Sequence, residues 1–148
     1  MPTPSTFQTW MKLYRNAAPM VDTDGIMRNF AFSHRYVTKA ASYTVTYQET
    51  GTIFVTTGAT AAVSFTLPAI STGPWEFKFI NGADQNLTVV AGTADTMVAY
   101  NDLTADSLAF STSSKKIGGQ INVYCDGTTL FGAAEVSDPR YQTVTLAS

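Results

Sequence analysis

From Ala40 to Leu146 the chain switches between polar and apolar residues at every position, in short runs that recur at roughly ten-residue spacing. The clearest runs are Ser64-Phe65-Thr66-Leu67 and Trp75-Glu76-Phe77-Lys78-Phe79-Ile80, which flank a turn bracketed by Pro68 and Gly73-Pro74. A period of two sends alternate side chains to opposite faces of a strand, so one face of each run is built for burial. Phe65, Leu67, Trp75, Phe77 and Phe79 are therefore predicted to build and cover a β core, with Pro68 ending one strand and Gly73-Pro74 resetting the chain for the next. Further strands are predicted at Tyr43–Tyr47, Thr52–Thr56, Ala62–Leu67, Leu87–Val90, Thr96–Tyr100, Ile121–Cys125, Thr128–Phe131 and Tyr141–Leu146. Asn81-Gly82 and Asp126-Gly127 have the residue types of tight hairpin turns. Helix signals are nearly absent here, and the predicted fold class is all-β: a single β-sandwich or jelly-roll-like domain.

Length and composition narrow the reading. A chain of 148 residues buries one sizeable core but not two. Charged residues make up 14% of the sequence, well below the roughly one quarter usual for soluble domains. Thr, Ser, Asn and Gly take their place, which suits a pleated surface partly hidden in an assembly. The single cysteine, Cys125, excludes an intramolecular disulfide or a multi-cysteine metal site, and its place in an alternating strand marks it as a small core residue. No apolar run approaches the roughly 18 to 20 residues that span a membrane. No secretory segment follows the polar start Met1-Pro-Thr-Pro-Ser5, so the chain is expected to act in the cytoplasm of its producer or be built there into a larger particle.

Residues 1–40 read as a separate N-terminal arm and residues 41–148 as the β-sandwich domain. In the arm, Ser5 or Thr6 caps a predicted short helix on which Phe7, Trp10, Met11 and Tyr14 fall at i, i+3, i+4 and i+7, a single apolar stripe. Asn16 to Gly25, with Pro19, returns the chain to loop, and Ile26–Phe32 alternates weakly as an added strand. Lys12, Arg15, Arg28, Arg35 and Lys39 against Asp22 and Asp24 give the arm a net charge of +3, while the remainder carries −5. Two readings of the arm stand: it packs on its own body, or its stripe and charge dock on another subunit or partner. The basic residues neither cluster nor interleave with a stacking platform, which argues against nucleic acid as the partner.

The order and spacing of several motifs resemble a β module of bacteriophage structural proteins, namely capsid decoration (cement) proteins, head fibres and tail fibres. The resembling residues are Tyr43-Thr-Val-Thr46, Thr66-Leu-Pro68 followed by Gly73, Phe77-Lys-Phe79, Asn86-Leu-Thr-Val89, Ala94-Asp-Thr-Met97, Gly118-Gly119 and Val123-Tyr-Cys-Asp-Gly-Thr128. They span residues 42 to 134, about two-thirds of the chain. The final hairpin departs from the family, which often carries a Trp where this chain has Leu130-Phe131. The resemblance implies a homotrimer without chemistry of its own. A lone module without repeats or heptads is more similar to a decoration protein than to a long fibre. The expected partner is then the major capsid protein, the expected location the outer capsid surface, and the expected docking residues Phe7, Trp10, Met11 and Tyr14, with Lys12, Arg15 and Arg28 supplying positive charge. The alternative implied by the same resemblance is a tail-fibre or receptor-binding module that recognises host surface carbohydrate through Trp75 or Tyr100.

Catalytic and cofactor chemistry find little support. His34 is the only histidine, and no serine or cysteine nucleophile with an orienting acid pairs with it in the sequence, so no enzyme activity is expected. Asp22-Thr-Asp-Gly25 opens like a calcium loop but lacks the later ligands and the closing Glu. Asp95, Asp102 and Asp106 are candidates to gather around a cation, with solvation as the simpler expectation; no metal or cofactor is assigned.

Overall fold

A computed structural model describes residues 20–21, 27–28, 34–112, 115–136 and 142–148. The chain divides between Ser33 and His34 into two units. In the first, β1 (Met20–Val21) pairs antiparallel with β2 (Met27–Arg28), opposing Met20 to Arg28 and Val21 to Met27. The predicted arm helix and the Asp22–Gly25 turn lie outside the described residues.

In the first half of the second unit, from β3 to β8, the alternating runs become strands that change sheet at each connection. β3 (Arg35–Thr38), β5 (Thr52–Val55) and β7 (Trp75–Ile80) lie side by side and parallel in one sheet. β4 (Tyr43–Thr44) and β6 (Val63–Thr66) lie parallel in the other, followed by β8 (Leu87–Val90) parallel to β6. Parallel neighbours need a long crossover. Here no α-helix supplies it: each crossover passes through a strand of the opposite sheet, with single 3-10 turns at Tyr47–Glu49 and Ile70–Thr72, so the connection buries an apolar face of its own.

The second half is mostly antiparallel. β9 (Met97–Ala99) turns into β10 (Asp102–Ala105), and β11 (Ser107–Phe110) pairs with both β8 and β14 (Val144–Ala147). β12 (Gln120–Cys125) joins β7 to β13 (Leu130–Glu135), which runs parallel to β9. Among the described residues these strands make a seven-stranded sheet in the order β10-β9-β13-β12-β7-β5-β3 and a five-stranded sheet in the order β14-β11-β8-β6-β4. The body is a β-sandwich, as its alternation predicted. Residues 34–40, expected with the arm, belong to this body through β3.

The core between the sheets is aromatic. Phe54, Phe77 and Phe79 come from the seven-stranded sheet and Phe65 from the five-stranded one. The Phe65 and Phe79 ring centroids lie 4.8 Å apart, and Phe54 stacks on Phe79 at 5.5 Å and 13°. Such pairs add about 0.5–1.5 kcal/mol each beyond their buried area. Gly132 in β13 allows close approach of the layers: a Cβ there would sit 2.7 Å from Leu108 Cδ1 and Met97 Sδ.

Two turns differ from the sequence expectation. Asn81-Gly82 closes no hairpin, because β8 departs into the opposite sheet. The Asn81 side chain, 1% exposed, is instead a buried tie: its Oδ1 accepts from Thr56 Oγ1 at 2.8 Å and its Nδ2 donates to the Gln85 carbonyl at 2.9 Å. Its backbone also bonds Gly118 and Gly119, so one residue fixes the ends of β5 and β7 and the start of β12. Conversely, Tyr100 and Asn101, with φ of 47° and 68°, make a two-residue β9–β10 hairpin that lacks the usual Asn-Gly signature. The Tyr100 hydroxyl secures this turn, donating to the Ala134 carbonyl at 2.7 Å and accepting from its N–H at 2.9 Å. The Asp126-Gly127 hairpin is present as predicted, with Cys125 opposite Leu130.

Candidate functional site

The two outward faces of the sandwich carry different chemistry, set by which member of each alternating pair points away from the core. Across the five-stranded sheet, register aligns Thr44, Thr66, Val90, Ser107 and Ala147 in one row and Ser64, Thr88, Ala109 and Thr145 in the next. None of these side chains is charged or aromatic. The side chains of these rows are small and uniformly neutral, β-branched or hydroxyl-bearing at most positions.

The outer face of the seven-stranded sheet is grooved and functionalised. One row aligns Tyr36, Ile53, Lys78, Asn122 and Ala133; the next aligns Glu76, Tyr124, Phe131 and Val98. A cleft of about 430 Å³ opens between them, bounded by His34, Tyr36, Glu76, Tyr124 and Glu135 over a floor that includes Ile53 and Asn122. Tyr36 and Tyr124 stand well out, 66% and 49% exposed, whereas Ile53 and Asn122 are buried at 8% each. Asn122 Nδ2 donates to Glu135 Oε1 at 2.8 Å, and Lys78 Nζ lies 3.9 Å from Glu135 Oε2. This amide–carboxylate–ammonium line is held in place from within the sheet and presents both donors and acceptors to the cleft.

The residues singled out in the sequence are distributed elsewhere. Phe7, Trp10, Met11, Lys12, Tyr14 and Arg15 lie outside the described residues; Arg28 lies in β2, opposite Met20. Trp75, a candidate for sugar stacking, is 4% exposed and packs on Phe77 with centroids 5.4 Å apart, which corrects that expectation. It shares the inward period with Phe77 and Phe79, and the same alternation that places those two inside places it inside. Tyr100 is exposed, but its hydroxyl is committed to the β13 backbone. Tyr36, Asn122 and Tyr124 are not among the site residues the sequence suggests; for the last two, the outward phase of Ile121–Cys125 is the available signal.

The candidate ionic sites resolve into local structural roles. Asp95 accepts from the Ile70 N–H at 2.9 Å, and Asp102 accepts from the Thr104 N–H at 2.8 Å and from the Ser148 hydroxyl. Among the described residues no group of three His, Cys, Asp or Glu side chains gathers as a metal site. Cys125 is buried, and desolvation pushes its thiol pKa up, away from thiolate chemistry. The N–H groups of Thr129 and Thr128, each 2.7 Å from Asp126 Oδ1, hold the Asp126 carboxyl below its ordinary value and brace the β12–β13 turn. No helix among the described residues is long and apolar enough to cross a membrane.

No family model matches the chain, and no curated protein matches it.

Proposed function

We propose that the chain is a virion structural protein, a capsid decoration (cement) protein that binds the outer surface of the major capsid protein shell as a homotrimer and stabilises it. The observation that carries this reading is the neutral outer face of the five-stranded sheet. A monomer that meets only water has little reason to keep rows of Thr, Ser, Ala and Val free of charge, and copies of such a face meet without burying unpaired ions. The resemblance supplies the three-fold copy number, and closed cyclic symmetry ends such an assembly at a discrete oligomer rather than an open fibre. The resemblance of residues 42 to 134 to phage structural modules supplies the shell as the partner.

The mechanism is multivalent. Three linked docking segments bind far more tightly than one, and a ligand that binds the assembled shell and not its separated subunits stabilises the shell by mass action. Phe7, Trp10, Met11 and Tyr14 are the proposed anchors, with Lys12, Arg15 and Arg28 steering the arm. The test mixes the purified chain with capsids stripped of decoration. Saturable occupancy and a raised shell disassembly temperature are expected, with occupancy reduced by Trp10→Ala in a chain that keeps its trimeric mass. Absence of capsid binding, or binding unchanged after deletion of residues 2–25, overturns the proposal or its arm respectively.

A further inference from the structure

We propose that the cleft on the outer face of the seven-stranded sheet binds a neutral, hexose-built oligosaccharide. The cleft's roughly 430 Å³ falls within the usual size of small-ligand sites. Its two walls, Tyr36 and Tyr124, hold aromatic rings partly out of the sheet and in reach of solvent. The negative face of a phenol ring attracts the weakly positive C–H face of a pyranose, while the phenol hydroxyl stays wet. The floor adds one buried apolar surface, Ile53, beside Asn122, Glu135 and Lys78. Sugar hydroxyls donate and accept at once, and this line of amide, carboxylate and ammonium offers both.

Geometry and charge narrow the ligand class. Tyr36 and Asn122 are separated by three interstrand steps, about 14 Å, so the cleft runs across the strands and is longer than a single ring requires. Glu76 and Glu135 outnumber Lys78, a balance that repels sialylated or phosphorylated ligands. β5, β7 and β12 beneath the cleft are each paired on both sides and offer a peptide no edge to augment; the free edge nearest the cleft is that of β3, beyond Tyr36 at its end. The inference does not rest on the proposed assembly: the cleft lies on the opposite sheet, and its ligand is the same whether the chain sits on a head or a tail.

The test presents the full chain to an array of neutral and sialylated oligosaccharides, then follows the best neutral binder by saturation-transfer and amide chemical-shift NMR. Transfer to sugar C–H protons and shifts centred on Lys78, Asn122 and Tyr124 are expected. Tyr36→Ala and Tyr124→Ala each weaken binding about tenfold. Tyr124→Phe, which keeps the ring, retains it, and so does Leu103→Ala, an exposed site remote from the cleft lining. The proposal is overturned if no neutral sugar binds, if sialylated sugars bind better, if the shifts map elsewhere, or if a folded Tyr36→Ala/Tyr124→Ala double variant binds undiminished.

Discussion

The two sheets share one aromatic core yet turn unlike faces to the outside. The five-stranded sheet presents Ser64, Thr66, Thr88, Ala109 and their neighbours, all small and neutral; the seven-stranded sheet presents Tyr36, Glu76, Lys78, Asn122 and Tyr124 around a cleft. Both faces come from the same period-two pattern, and both sheets pack their inner sides on the same rings. What differs is only the outward residue of each pair. Inward positions are constrained by the shared core, while outward positions are free to be specialised, and they have been specialised in opposite senses.

Removing the shared wall is the largest perturbation. Phe79 contacts Phe54, Phe65 and Phe77, so Phe79→Ala is expected to cost about 3–5 kcal/mol in chemical denaturation. Both faces should be lost in one transition; separate transitions for the two sheets would break the claim of a common core. Asn81→Ala comes next. It strips Thr56 and the Gln85 carbonyl of their buried partner, at about 1–3 kcal/mol, and should loosen the crossover loop in hydrogen exchange before either face. A smaller effect isolates the seven-stranded side. The folded-state pKa of Asp126 is lowered, so its contribution is present above the carboxylate's unfolded value and fades as pH falls through the folded one. Asp126→Ala should therefore destabilise the β12–β13 hairpin at neutral pH and have no effect in strong acid, leaving the five-stranded face unaltered throughout.

Much of the architecture was legible because the core is built from alternation. Phe65, Leu67, Trp75, Phe77 and Phe79 lie inside as their phase dictates, and Asp126-Gly127 turns where its residues say it should. The pairing was less legible. Asn81-Gly82 has hairpin chemistry, yet the next strand pairs with β6 in the opposite sheet, because partner choice depends on which distant apolar face needs covering. The Tyr100-Asn101 turn was hidden for the converse reason: its left-handed backbone is held by a hydroxyl bonded to Ala134, a contact that sequence spacing does not reveal. The cleft was hidden too, since Tyr36, Lys78, Asn122 and Tyr124 meet only through the register of β3, β5, β7 and β12.

The proposed division between a neutral assembly face and a functionalised open face is tested most directly by native mass measurement of the full chain beside two single-charge variants. Thr88→Lys places a cation in the middle of the five-stranded face, where like charges brought together cost several kcal/mol; Lys78→Glu reverses a charge on the other face. The account predicts a trimeric parent, a folded but monomeric Thr88→Lys chain and a trimeric Lys78→Glu chain. A monomeric parent, or a trimer that survives Thr88→Lys and falls apart with Lys78→Glu, contradicts it.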